Sequence, residues 1–276
     1  MAIFDSHLHL ARLPQPLELA RELHERGYRY RAVACEPWEW KAVDGIWTGA
    51  SESGWFEGCG RSYGLHPMIA AQVAEGAING GPEDLWTELR RLLESDPNAQ
   101  AGEAGLDRRY AGYEPGGVQE KVFRKQAEMA LELGRDLQIH CVGDYGRIIR
   151  VLREAGFGAR NGAGLKCARP DSSIKRPRPV FHRFGGDTGI VKAGLSLGAL
   201  FSVHADALRK KATREALALI PREHLLFETD ADESFVETFI ATRGSGDAIT
   251  PQDVAVMLED THKDISTRFS PSPQRG

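Results

Sequence analysis

Two histidines, His7 and His9, stand two residues apart at the end of the first β-rich run of the chain. Alternation of side chains along a strand turns both imidazoles to one side, which is the spacing of a divalent-metal ligand pair. Nine histidines in 276 residues give roughly 0.3 such pairs by chance, so the motif gains weight only from its company. His140 closes Leu137-Gln138-Ile139 and His182 closes Pro179-Val180-Phe181, two runs apolar enough to be buried strands. Glu103 lies in Ala101-Gly102-Glu103-Ala104-Gly105, where small neighbours let a carboxylate approach a crowded centre and bridge two cations. Glu228 and Asp230 are again two apart, so both can point inward from one strand. Carboxylates without compensation in a dry cavity are costly, and a divalent cation offsets their charge. His7, His9, His140 and His182, with the acids Glu103, Glu228 and Asp230 among them, therefore form a candidate metal-binding cluster. Asp230 and Glu228 are the candidate catalytic acids; Glu228 either orients a water and moves its proton or supports a ligand histidine. His66, held extended by Pro67, suits a phosphate contact, and His204 is a second candidate for touching substrate.

These residues need elements that bring them to one place. Eight β-rich runs recur: Ala2 to His7, Arg31 to Cys35, Arg61 to Leu65, Gln100 to Gly105, Asp136 to Cys141, Pro179 to His182, Leu197 to Val203 and His224 to Thr229. Polar landmarks at or just beyond their carboxyl ends, from His9 to Asp230, are spaced by 22 to 42 residues. Each interval suits one strand, one loop and one helix, and eight such units predict an α/β fold of the (β/α)8 TIM-barrel type, of the metal-dependent hydrolase kind. The spacing of Phe123, Ala127, Ala130 and Leu131 predicts a helix over 117–133 stopped by Gly134. Thr250, Pro251 and Asp253 mark the start of another. Further helices are expected over 17–26, 84–94, 145–155, 188–194 and 212–219.

Composition excludes other classes. With 35 basic and 39 acidic residues the formal charge is −4, so no chain-wide positive field holds nucleic acid. No apolar run reaches the length of a membrane span, and the first residues carry no signal-peptide pattern, so a cytoplasmic protein is expected. Cys35, Cys59, Cys141 and Cys167 form no C-x-x-C pair and read as free thiols. A single barrel domain over 1–276 is expected, interrupted by a basic Gly/Pro-rich loop insertion at about 157–179. Walker, G-x-G-x-x-G and G-x-S-x-G motifs are absent from the places where they would act.

His7-Leu8-His9, Gly64-Leu65-His66-Pro67, Gly102-Glu103-Ala104-Gly105-Leu106-Asp107, Ile139-His140-Cys141, His182-Arg183-Phe184-Gly185-Gly186 and Glu228-Thr229-Asp230-Ala231 follow one another in the order of the TatD family of metal-dependent deoxyribonucleases. The resemblance spans about residues 3–232. It implies two divalent ions, zinc or magnesium with manganese a further option. His7, His9 and Asp230 would serve one ion, His140 and His182 the other, and Glu103 both. The implied substrate is DNA, as single strands or ends. A metal-dependent amidohydrolase or lactonase, and a non-hydrolytic metal- or nucleic-acid-binding protein, are the competing readings. Three departures stand out. Val142 replaces the arginine that family members commonly carry two residues after the fifth-strand histidine, Asp232 replaces a proline, and the Asn-bearing C-terminal helix is not evident. Strand alternation directs Arg183 away from the interior unless the strand ends before it.

Overall fold

The computed structural model describes residues 3–50, 52–76, 81–159, 176–243 and 249–269. Eight strands run in the order of the chain: β1 (Ile3–Leu8), β2 (Tyr28–Ala34), β3 (Gly60–Tyr63), β4 (Gln100–Asp107), β5 (Leu137–Val142), β6 (Pro179–Phe181), β7 (Leu200–Val203) and β8 (Leu225–Phe227). Every neighbouring pair is parallel. The sheet closes on itself beyond β8, where Asp230 N–H donates to His7 O at 3.0 Å and His9 N–H donates to Ala231 O at 3.0 Å. The expected (β/α)8 barrel is what the chain forms, and all eight expected strand runs lie on observed strands.

Helices separate the strands: α1 (Pro16–Glu25), α2 (Pro37–Gly49), α3 (Ala70–Glu75), α4 (Gly81–Ser95), α5 (Val118–Leu133), α6 (Tyr145–Ala155), α7 (Thr188–Ser196), α8 (Lys211–Leu217), α9 (Glu233–Arg243) and α10 (Pro251–Arg268). The helix over 117–133 ends as predicted, with Gly134 at φ 70°, a left-handed geometry that costs glycine little. At the start of α10 the Thr250 hydroxyl accepts from Asp253 N–H, as the expected cap requires, and the Asp253 carboxylate also accepts from Thr250 N–H, which makes the cap reciprocal. Helices α2, α3 and α9 go beyond the predicted set. Of the expected 157–179 insertion, residues 160–175 lie outside the described residues. Cys35, Cys59 and Cys141 are free thiols as expected. No helix among the described residues is long and apolar enough to cross a membrane.

The core lies between strands and helices. Phe181 of β6 and Phe201 of β7 stack at 5.6 Å, and both are fully buried. Each aromatic side chain removed from water contributes about 1.5–3 kcal/mol. Trp40 of α2 donates its indole N–H to Ala34 O and Gly64 O, tying that helix to the carboxyl ends of β2 and β3. The barrel's carboxyl-terminal mouth, where enzymes of this fold place their chemistry, is thus held from below and from the side.

Candidate metal centre

The six residues singled out as ligands converge at that mouth. His7 lies in β1 with His9 just past it, Glu103 in β4, His140 in β5, His182 just past β6 and Asp230 just past β8. His7 Nε2 is 3.3 Å from His9 Nε2, 3.4 Å from Glu103 Oε2 and 3.7 Å from Asp230 Oδ1. His9 Nε2 is 3.7 Å from Glu103 Oε2 and 3.6 Å from Asp230 Oδ1. Donors about 2.0–2.2 Å from a tetrahedral ion stand about 3.3–3.6 Å from one another. The donor separations in this cluster are close to that spacing.

A second cluster adjoins it. Glu103 Oε1 is 2.5 Å from His140 Nδ1 and 2.8 Å from His182 Nε2, and those two nitrogens are 3.4 Å apart. Glu103 therefore turns one oxygen to His7, His9 and Asp230 and the other to His140 and His182. The imidazoles of His7 and His182 stack between the clusters at 4.0 Å. Room for this convergence comes from the small residues around Glu103. A Cβ on Gly105 would lie 1.9 Å from His140 O, and one on Gly64 would lie 2.4 Å from Gly102 Cα, so only glycine permits these backbone approaches.

Supporting groups fix the imidazoles. Asp107 Oδ2 is 2.9 Å from His140 Nε2, and the same carboxylate accepts from Arg109 N at 2.9 Å and from its guanidinium at 2.6 Å. Gln138 Oε1 faces His7 Nδ1 at 3.4 Å. Glu39 of α2 lies 3.7 Å from His9 Nδ1 and accepts from Arg12 Nε at 2.7 Å and from Cys35 N–H at 2.8 Å. Glu228 Oε1 stands 3.2 Å from His182 Nδ1 but accepts its hydrogen bond from Arg183 N–H, while Oε2 has no hydrogen-bond partner among the described residues. Fully buried Asp5 accepts from Thr229 Oγ1 at 2.6 Å and from Tyr28 OH at 2.8 Å, anchoring β1 to the segment that carries Asp230.

The electrostatics favour cations. Burial pushes the Glu103 carboxyl up, but the His182 and His140 imidazoles outweigh it and hold the group well below the usual carboxylate range. Burial pushes His182 down, and Glu103, Glu228 and Asp230 more than reverse it, leaving the imidazole well above its ordinary value. Positive charge is thus drawn to the place where the two clusters meet. Five overlapping sets of three donors occur here, among them His7–His9–Asp230 and Glu103–His140–His182. A third, His9–Cys35–Glu39, contains a thiol that burial and Glu39 push up to about 12, so it is neutral and a poor ligand at physiological pH. Nitrogen and carboxylate donors at these separations fit divalent ions of the zinc or manganese kind, and the shared carboxylate also suits magnesium.

His66 is buried at the edge of the second cluster, its Nε2 3.9 Å from Glu103 Oε1. Its Nδ1 accepts Met68 N–H at 3.0 Å, which places the proton of the neutral ring on Nε2. Burial, joined by the neighbouring imidazoles, lowers its pKa to about 3. His66 is therefore a neutral donor aimed into the mouth. His204 sits farther out, on the rim, with Nδ1 accepting Asp206 N–H at 3.2 Å, and burial with Arg183 lowers its pKa. Because β6 ends at Phe181, alternation no longer governs Arg183. At φ 43° its side chain swings over the mouth, donates to Asp230 Oδ2 at 2.7 Å and binds Asp206. Sequence reasoning assigned no role to Asp107 or Glu39. Asp107 had a signal, since it shares Glu103's alternation along β4; Glu39 depends on a helix outside the predicted set.

Fold and site together define a (β/α)8 barrel with a candidate cation centre at its carboxyl-terminal mouth. A family profile described as TatD related DNase matches residues 4–258, and the chain belongs to that family. The match passes residue 232, where the motif resemblance stops, and takes in α9 and the first turns of α10. The chain is 34% identical over 179 residues to the 3'-5' ssDNA/RNA exonuclease TatD of Pantoea ananatis, covering 63% of this chain and 58% of that protein. It is 29% identical over 177 residues to the human 3'-5' RNA nuclease TATDN2, covering 62% of this chain and 20% of that protein. The match therefore spans under two thirds of these relatives. The crystal structure of a hydrolase TatD family protein from Entamoeba histolytica superposes with a TM-score of 0.62 at 17% identity, over 83% of this chain and 74% of that one, and shares its fold.

Proposed function

We propose that the protein is a divalent-metal-dependent nuclease that hydrolyses phosphodiester bonds of single-stranded nucleic acid, DNA first. The observation that carries this is the division of Glu103, whose two oxygens face two separate groups of imidazoles 2.5–3.7 Å away. In this reading His7, His9 and Asp230 hold one ion, His140 and His182 the other, and Glu103 both. Divalent ions held by these residues would supply a more acidic water and Lewis-acid stabilisation of the phosphoryl and leaving oxygens. Asp230, whose Oδ2 faces Arg183 outside the first cluster, and Glu228, whose Oε2 has no hydrogen-bond partner among the described residues, are the acids that orient the water and accept its proton. His66 donates Nε2–H to a non-bridging phosphate oxygen, and His204 contacts the substrate farther along the rim. Phosphate rather than an amide or lactone is favoured by Arg108, which lines the cavity at the mouth, where Arg109 and Arg183 are already paired with Asp107 and with Asp230 and Asp206. Relatives named as a ssDNA/RNA exonuclease and an RNA nuclease support the same reading.

The test is hydrolysis of labelled single-stranded DNA and RNA by protein stripped with EDTA and then given Mg, Mn or Zn. Cleavage that vanishes on chelation and returns with at least one ion is the expected result. Reconstituted protein that leaves every strand intact while cleaving a lactone or an amide contradicts it.

A further inference from the structure

Tyr110 stands beside the centre on the loop between β4 and α5, and 38% of it is exposed. Its ring meets His66 edge-on, with centroids 5.9 Å apart, and His66 in turn lies 4.3 Å from His140. One ring thus separates Tyr110 from a candidate ligand. The Arg109 guanidinium lies over the Tyr110 ring at 5.7 Å while it grips Asp107. The loop is rigid for a physical reason. The buried Gln119 side chain accepts from Asp107 N–H and donates to the carbonyls of Asp107, Tyr110 and Ala111 at 3.0–3.1 Å. An exposed aromatic held this firmly loses little freedom on binding.

We infer that Tyr110, backed by Arg109, is a stacking platform for the unpaired nucleobase next to the phosphate at the metal centre. The inference rests on the nuclease reading and specifies how the single strand is held. Every base offers a π-face, so stacking on a fixed ring grips a single strand without reading its sequence, and a base locked in a duplex is denied to it. Charge selects Tyr110 over the other exposed aromatic near the mouth. Trp38 is 49% exposed and also lies under a guanidinium, that of Arg12 at 5.3 Å. Arg12, however, is bound by Glu36, Glu39 and Glu233, so the surroundings of Trp38 are net acidic and repel a phosphodiester chain. Beside Tyr110 the next basic residue is Arg108, which lines a cavity of about 730 Å³ where Arg108, Arg183, Arg209 and Lys210 outnumber Asp144, Asp187 and Asp206 by one. The backbone of a strand stacked on Tyr110 can continue into that cavity.

The experiment measures KM and kcat for two labelled single strands that differ only in carrying abasic residues at both ends. In the wild-type protein the abasic strand is expected to show a KM about tenfold higher at similar kcat, as loss of one stacked base requires. Tyr110→Ala should bring the two KM values together, Tyr110→Phe should keep them apart because the ring and not the hydroxyl stacks, and Trp38→Ala should also keep them apart. Equal KM values in the wild type, a gap that survives Tyr110→Ala, or a gap lost in Tyr110→Phe overturns the platform while leaving the nuclease reading standing. Wild-type protein that cleaves neither strand with any divalent ion overturns both.

Discussion

Asp107 Oδ2 lies 2.9 Å from His140 Nε2, and this contact decides which nitrogen of His140 faces Glu103. The carboxylate takes Nε2–H and leaves Nδ1 with a free lone pair toward the second cluster, which fixes both ring angle and tautomer. Asp107→Ala is expected to weaken binding of a divalent ion there about 10–100-fold, the usual cost of removing such a support. Calorimetric titration of stripped protein with Mn or Zn measures it; equal affinities for variant and wild type would remove Asp107 from the site.

His66 is a donor and not a ligand in the same scheme, because its Nδ1 is occupied by Met68 N–H and its pKa of about 3 keeps the ring neutral. His66→Ala should therefore lower kcat/KM by about 10²-fold, or about 2.7 kcal/mol of transition-state binding. Bound metal should stay the same, and the His66 variant losing an ion on metal analysis would make it a ligand instead.

Much of this was legible in the chain. Five of the six candidate ligands lie near or just past strand ends, with Glu103 inside β4, and strand alternation leaves a period of two that survives in the sequence as His7/His9 and Glu228/Asp230. The eight apolar runs that end in those landmarks specify a parallel barrel for the same reason. What stayed hidden acts through space. Glu39 reaches His9 only because α2 folds against β2, and that helix, with Pro37 at its start and Gly45 and Gly49 within it, has little apolar periodicity to announce it. Gln119 and Gln126 are unremarkable polar positions in α5 until their amides satisfy the backbone of Asp107 and Leu65. Arg183 depended on where β6 stops, a boundary that sequence reading places less well than the strand itself.

Gly105→Ala tests the packing beneath the centre. The added Cβ would meet the His140 backbone carbonyl oxygen at 1.9 Å, so β4 and β5 must move apart. A loss of about 1–3 kcal/mol in unfolding free energy is expected, together with weaker metal binding, because the displaced strand carries Glu103. Denaturant unfolding that matches the wild type would show that the approach is looser than described.

Glu120 gives a pH-dependent stability. Burial pushes its carboxyl up, but Gly116 N–H, Arg150 and Arg147 outweigh it and hold the pKa below the ordinary 4.5. A carboxylate with a depressed folded pKa stabilises above its ordinary value, and that stability is lost as the pH falls through the depressed one. Glu120→Gln should lower Tm by about 2–4 °C at pH 7, near 1 kcal/mol in a protein of this size. The gap should narrow as pH drops below 4.5. A gap that widens on acidification contradicts the sign.

The most direct measurement is the metal content of the purified protein, wild type beside Glu103→Ala, after loading with zinc or manganese and removal of free ions. About two ions per chain in the wild type, as a paired centre requires, and one or none in Glu103→Ala is the expected result. Wild-type protein that retains no ion, or a Glu103→Ala variant that retains the full pair, contradicts the shared carboxylate on which the proposed chemistry stands.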